Sequence, residues 1–107
     1  MKHAHFPDVD GIDALALGLQ GAEKMKVKLL SENSVCLELE PGGSSPDHNH
    51  EDKERLVVMS GAGEFKTHEG RRPLQPCDFI EFEADEQHQI INTGDEPLVL
   101  MCFRNQQ

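Results

Sequence analysis

Short runs in which apolar and polar residues alternate constrain this chain more than any other feature. In Lys24–Leu30, Met25, Val27 and Leu29 fall on one parity and Lys24, Lys26 and Lys28 on the other. Val35, Leu37 and Leu39 then alternate with Cys36, Glu38 and Glu40. A period of two is the signature of a strand with one face buried, because successive side chains leave a strand on opposite sides. The three lysines are expected to guard a sheet edge. Further strand-length runs are read at 56–59, 64–68, 79–82, 88–91 and 98–103. Turn residues separate them: Pro41-Gly42-Gly43, Ser60-Gly61-Ala62-Gly63, Glu69-Gly70 and Asn92-Thr93-Gly94-Asp95-Glu96-Pro97. Residues 12–19 read as a short strand or turn, and no stretch carries a convincing amphipathic helix. Turn signals at intervals of about 8–12 residues predict an all-β sandwich or barrel.

The 107 residues are read as one domain, residues 1–107, in which 1–11 are an irregular lead-in. A chain of this size buries only about two-thirds of its unfolded surface, so a homodimer through the strands of the first 40 residues is expected. No apolar run reaches membrane-spanning length and no signal-peptide pattern opens the chain, so a cytoplasmic location is expected. Cys36, Cys77 and Cys102 are odd in number and widely spaced, which suits reduced thiols. A net charge of −10 disfavours nucleic acid and anionic membranes as partners. Trp and Tyr are absent, which removes most aromatic stacking platforms and any tyrosine acid. Gly61-x-Gly63 lacks the third glycine and following helix of a dinucleotide fingerprint.

The chemistry gathers between Gly42 and Gly61. His48 and His50 are two apart, so on an extended strand both imidazoles share a face. Glu54 joins that face if the strand continues through 50–54 or bends back nearby. Two imidazoles and a carboxylate suit a divalent first-row metal. The set is one ligand short, and His88 is the candidate fourth. A solvated acidic loop with two histidines would look similar from 47 to 54.

The wider spacing bears on that alternative. Gly42, His48-x-His50, Glu54 and Gly61 together resemble the first motif of the cupin family. Residues 77–92 resemble its second motif by position, with His88 and Asn92 where the family has its metal histidine and following asparagine. The departures are Cys77 and Asp85, where the family usually has Gly, and Glu83, where it has Pro. The resemblance implies a double-stranded β-helix, or jelly roll, with motif one at 42–61 and motif two at 77–92. It also implies one divalent transition metal per chain, manganese, iron, nickel or zinc, held by His48, His50, Glu54 and His88.

By strand parity Leu56, Val58, Ile80, Phe82 and Ile90 are expected to line the interior, and Asn92 to stand beside the ligands. Among the remaining cations, Arg104 and Lys66 are the two that a barrel can turn inward, whereas Arg55 should point away. Two functions follow. One is a metalloenzyme, dioxygenase-like or of decarboxylase or isomerase type, acting on a small oxygen-rich molecule. The other is a non-catalytic binding or sensor module with a small-molecule ligand. Epimerases of similar fold pair a catalytic His with a Tyr that this chain lacks.

Overall fold

The structure, a computed structural model, describes residues 1–49 and 51–104. Nine strands are found among them: β1 (Ile12–Asp13), β2 (Glu23–Ser31), β3 (Ser34–Ser44), β4 (Glu54–Ser60), β5 (Gly63–Thr67), β6 (Gly70–Leu74), β7 (Phe79–Phe82), β8 (His88–Ile91) and β9 (Leu98–Arg104). Two short 3₁₀ turns, Phe6–Asp8 and Ala14–Leu17, are the helical elements among these residues. The strands curl into an antiparallel jelly roll in the order β6-β5-β8-β3-β9-β4-β7, with β1 and β2 added outside β3. The all-β expectation is met, and the stretch between Gly61 and Cys77 forms a hairpin, β5 with β6.

Alternation builds the core. Met25, Val27, Leu39, Leu56, Val58, Leu98 and Leu100 all face inward and are buried. Lys28 departs from the edge-guard reading. Its side chain is buried, and its ammonium donates to the carbonyls of Phe6 and Pro7 at 3.1 and 3.3 Å while pairing with Glu38 at 3.4 Å. The irregular lead-in folds back over β2 and supplies those acceptors, a long-range contact that local alternation cannot encode. A buried ammonium is tolerated when its donors are matched in this way.

A second departure lies in β3. Pro41-Gly42-Gly43 does not end this strand, which runs on to Ser44. Between the pairs Met25↔Leu39 and Glu23↔Ser44, β2 advances two residues and β3 five. The surplus is taken up as a bulge in which Gly42 has φ 83 and, opposite it, Lys24 has φ 50. Before the bulge β3 pairs with β9, from Ser34↔Phe103 to Leu39↔Leu98. After it, Ser44 pairs with Ile91 of β8. Bulges redirect strands in this manner.

Gly43 sits where backbone crosses backbone. A Cβ there would lie 2.7 Å from the Lys24 carbonyl oxygen, 2.8 Å from that of Glu40 and 2.9 Å from that of Glu23. None of these is the far end of a flexible side chain. Gly43→Ala is therefore expected to destabilise the fold by about 2 kcal/mol or more, lowering the melting temperature by roughly 10 °C. Thermal unfolding followed by circular dichroism checks this, and an unchanged melting temperature would mean that the bulge can open at no cost.

Candidate active site

Beyond the bulge, the chain runs alongside β8 without being a regular strand. The Ser45 amide donates to the Ile90 carbonyl at 2.9 Å, and its hydroxyl oxygen accepts from the Ile90 amide at 2.8 Å. Three residues on, His48 and His88 exchange both backbone hydrogen bonds, at 3.1 and 2.9 Å, as an isolated antiparallel bridge. Residues directly opposite in such a pair point to the same face. Accordingly the two imidazole rings lie 4.9 Å apart, centroid to centroid. Asp47 clips this loop to its surroundings, through Lys66 at 2.9 Å and Gln87 at 3.2 Å. The Lys66 hydrogen bond holds the Asp47 carboxyl below the usual aspartate range.

Glu54 opens β4 and is buried. It faces Phe82 of β7 on one side and Arg104 of β9 on the other. Its Oε1 lies 2.8 Å from His88 Nε2, and its Oε2 accepts from the Cys102 thiol at 2.9 Å. Arg104 Nε is 3.7 Å from the same Oε2. The His88 ring stacks flat on Phe82, with centroids 4.0 Å apart and planes at 5°. Its Nδ1 meets the Glu86 carbonyl at 2.8 Å, and His48 Nδ1 meets the Pro46 carbonyl at 2.7 Å.

These contacts decide the protonation of His88. Both ring nitrogens face acceptors, an arrangement satisfied in full by the imidazolium. Burial pushes its pKa down, but hydrogen bonds to Glu54 and to the Glu86 carbonyl, with the charges of both side chains, outweigh it, and the net shift is upward. In the metal-free fold this group contributes stability fully present below its unfolded pKa, about 6.5, and lost as pH rises through the raised folded value. The Cys102 thiol is driven strongly upward by burial and then by Glu54, so it acts as a neutral donor. Cys36 is pushed up to about 11, chiefly by burial, and behaves as a small hydrophobe.

The site forms part of the wall of a cavity of about 540 Å³. Leu56 and Ile90 line it, together with Met25, Val27 and Leu37. Val58 and Phe82 are buried in the adjoining core, and Ile80 is half-buried against it. Asn92 is also buried. Its amide donates to the carbonyls of Leu39 and Glu96 and its oxygen accepts from the Gly94 amide, closing the turn after β8. His50 lies outside the described residues. Among the described residues no group of three or more His, Cys, Asp or Glu side chains is gathered as a metal site.

Reasoning from sequence did not find the thiol on Glu54. Its signal was parity: Leu98, Leu100, Cys102 and Arg104 alternate onto one face of β9, the face that meets Glu54. Arg104 lines the cavity, whereas Arg55 points outward to Glu81 at 2.8 Å and Lys66 is taken up by Asp47.

A family model described as the cupin domain matches residues 35–104. The chain belongs to the cupin family. Solved structures agree on the fold of this cupin. One is the polyketide cyclase RemF from Streptomyces resistomycificus, with a TM-score of 0.85 at 19% identity over 97% of this chain and 78% of that one. Another, described as a predicted oxalate decarboxylase from Thermotoga maritima, also scores 0.85 at 19% identity, over 98% and 99% of the two chains. A third is the cupin domain of an XRE-family transcriptional regulator from Enterobacter cloacae, with a TM-score of 0.68 at 26% identity over 79% and 99%. No curated protein matches the chain. No helix among the described residues is long and apolar enough to cross a membrane.

In metal-free protein the His88 ring is expected to titrate above 6.5, and in Glu54→Gln at a clearly lower pH. Histidine NMR titration measures both, and coincident midpoints would show that Glu54 does not hold the proton.

Proposed function

We propose that this cupin is a metalloenzyme for a small oxygen-rich molecule, holding one divalent manganese, iron, nickel or zinc ion through His48, His50, Glu54 and His88. One observation carries the reading: His88 Nε2 lies 2.8 Å from Glu54 Oε1 on the wall of an apolar cavity, while a backbone carbonyl faces Nδ1. In metal-free protein a hydrogen bond joins these two groups, and a metal can take the place of its proton. The Pro46 carbonyl likewise keeps the neutral His48 ring protonated on Nδ1, so its lone pair sits on Nε2.

When bound, the metal supplies Lewis-acid chemistry toward substrate oxygens, or access to dioxygen if it is redox-active. The chain's own groups do the rest. Phe82 and the Glu86 carbonyl orient His88. Cys102 fixes Glu54, and the Leu, Val and Ile walls exclude water and strengthen the site's electrostatics. Oxygenase or related chemistry on a hydroxy-keto or carboxylic compound fits such a site.

The alternative is a non-catalytic binding or sensor module, favoured by the 26% identity to the cupin domain of a transcriptional regulator. Metal analysis and turnover together separate the two. His50→Ala should bring metal content well below one per chain, and affinity should fall as pH drops below the His88 titration, because protons compete for the imidazoles. The loaded protein should turn over members of a panel of hydroxy-keto and carboxylic compounds, and Glu54→Ala should not. Undiminished metal in His50→Ala removes the site, and binding without turnover, with or without oxygen, selects the sensor.

A cytoplasmic homodimer completes the proposal. Leu15, Leu17 and Leu29, exposed within the first 40 residues, support that interface. Light scattering should give twice the 12.0 kDa chain mass at micromolar concentrations, and a monomer mass throughout would refute it.

A further inference from the structure

Arg104 is not needed to hold a metal, yet it is the one permanently cationic side chain lining the cavity among the described residues. Strand register puts it there. It closes the alternation of Leu98, Leu100 and Cys102 on the inner face of β9 and stands directly across from Glu54. Its backbone amide donates to the Asn33 carbonyl at 2.9 Å, which fixes the strand end carrying it. The side chain lines the cavity and is 45% exposed, so it touches both the cavity and solvent. Its approach to Glu54 is through Nε at 3.7 Å, an ion pair longer than a hydrogen bond.

The rest of the lining limits what Arg104 can meet. The walls are mostly aliphatic, and the carboxylates on them are Glu32 and Glu54. A dianion would meet two negative groups and one fixed positive one. A neutral polar molecule would leave the guanidinium's planar fork unused. An apolar body with a single carboxylate satisfies both the aliphatic walls and the fork. The volume, about 540 Å³, suits a small-molecule ligand.

We infer that Arg104 is the carboxylate-recognising residue of this cavity and that its ligands are small monocarboxylates with an apolar body. This rests on the proposed function only in taking the cavity as the ligand site. Arg104 is here a positioning and specificity residue rather than a catalytic one.

Calorimetric binding of phenylacetate and its neutral isostere phenylacetamide tests the inference, on the protein as purified and after chelator treatment, with metal content measured in parallel. Wild type should bind the carboxylate about tenfold more tightly than the amide. Arg104→Gln should bind both equally, with the amide affinity kept. Arg104→Lys, which keeps the charge without the fork, should retain only part of the preference and serves if the Gln variant fails to fold. A preference that survives in Arg104→Gln overturns the inference, including the case where chelation abolishes it, since a metal would then be the anchor. Failure of wild type to bind either probe overturns the cavity reading and this inference together. A preference that needs Arg104 and persists after chelation supports the inference, whereas only absence of metal from the protein as purified counts against the metalloenzyme.

Discussion

Everything at the site depends on β3 changing partners at its bulge. A strand that stayed with β9 past Leu39 would carry residues 45–48 away from β8, and His48 could not face His88. The three surplus residues, with Gly42 at positive φ and Gly43 pressed against three carbonyls, turn the chain without losing its hydrogen bonds. The Gly42 amide goes to the Asn92 carbonyl, and the Gly43 carbonyl receives the Asn92 amide. Buried backbone groups must be paired somewhere, so the bend is stable only because β8 accepts what β9 gives up. Asn92 is thus tied to the same corner through its side chain and its backbone. The residue following the second motif's histidine helps set the position of the first motif's.

The electrostatics follow from that geometry. This is an acidic chain, with a net charge of −10, yet its most buried carboxylate beside the cavity is surrounded by donors: the His88 ring, the Cys102 thiol and the Arg104 guanidinium. A buried carboxylate requires such company, because desolvation disfavours its charged form. Each donor comes from a different direction. β8 supplies one, and alternate positions of β9 supply the other two. Glu54 is consequently held at both oxygens, which leaves its orientation fixed rather than sampled. A preset first carboxylate is what a metal or a substrate cation finds useful, since little ordering is then required on binding.

Much of the barrel was legible in the sequence because strand alternation is local. Met25, Val27, Leu39, Leu56 and Val58 are buried as their parity requires. What was not legible was non-local. Lys28 has the polar parity of an edge lysine, and only the returning residues 6–7 turn it into a buried clamp. Pro41-Gly42-Gly43 has the composition of a turn, and a bulge at which a strand changes partners uses the same residues for the same reason, positive φ and close approach. His48 is aligned with His88 by a bridge to a residue forty positions away, which spacing along the sequence does not reveal. The Cys102–Glu54 contact was open to parity arguments, but it needed the β4–β9 register, which one sequence does not give.

The two turns around β7 show how firmly the backbone is specified. Cys77 and Asp85 stand where the family usually has glycine, and both adopt the left-handed conformation, at φ 77 and φ 64. For a residue with a Cβ that region costs on the order of 1 kcal/mol, less for Asp, whose short polar side chain tolerates it. The surroundings hold both in place. The Cys77 amide donates to the Val58 carbonyl at 2.8 Å, and Asp78 closes its own turn by accepting from the Gln75 amide. At the other end Glu86 binds the Glu83 amide through its carboxylate, and its own amide returns to the Glu83 carbonyl. That second turn leads directly into the Glu86 carbonyl on His88 Nδ1. A relaxed turn at Asp85 would move that acceptor, and with it the ring that Glu54 grips. The strain is therefore retained where it sets the orientation of the His88 ring, which ties a departure in sequence to the chemistry of the site.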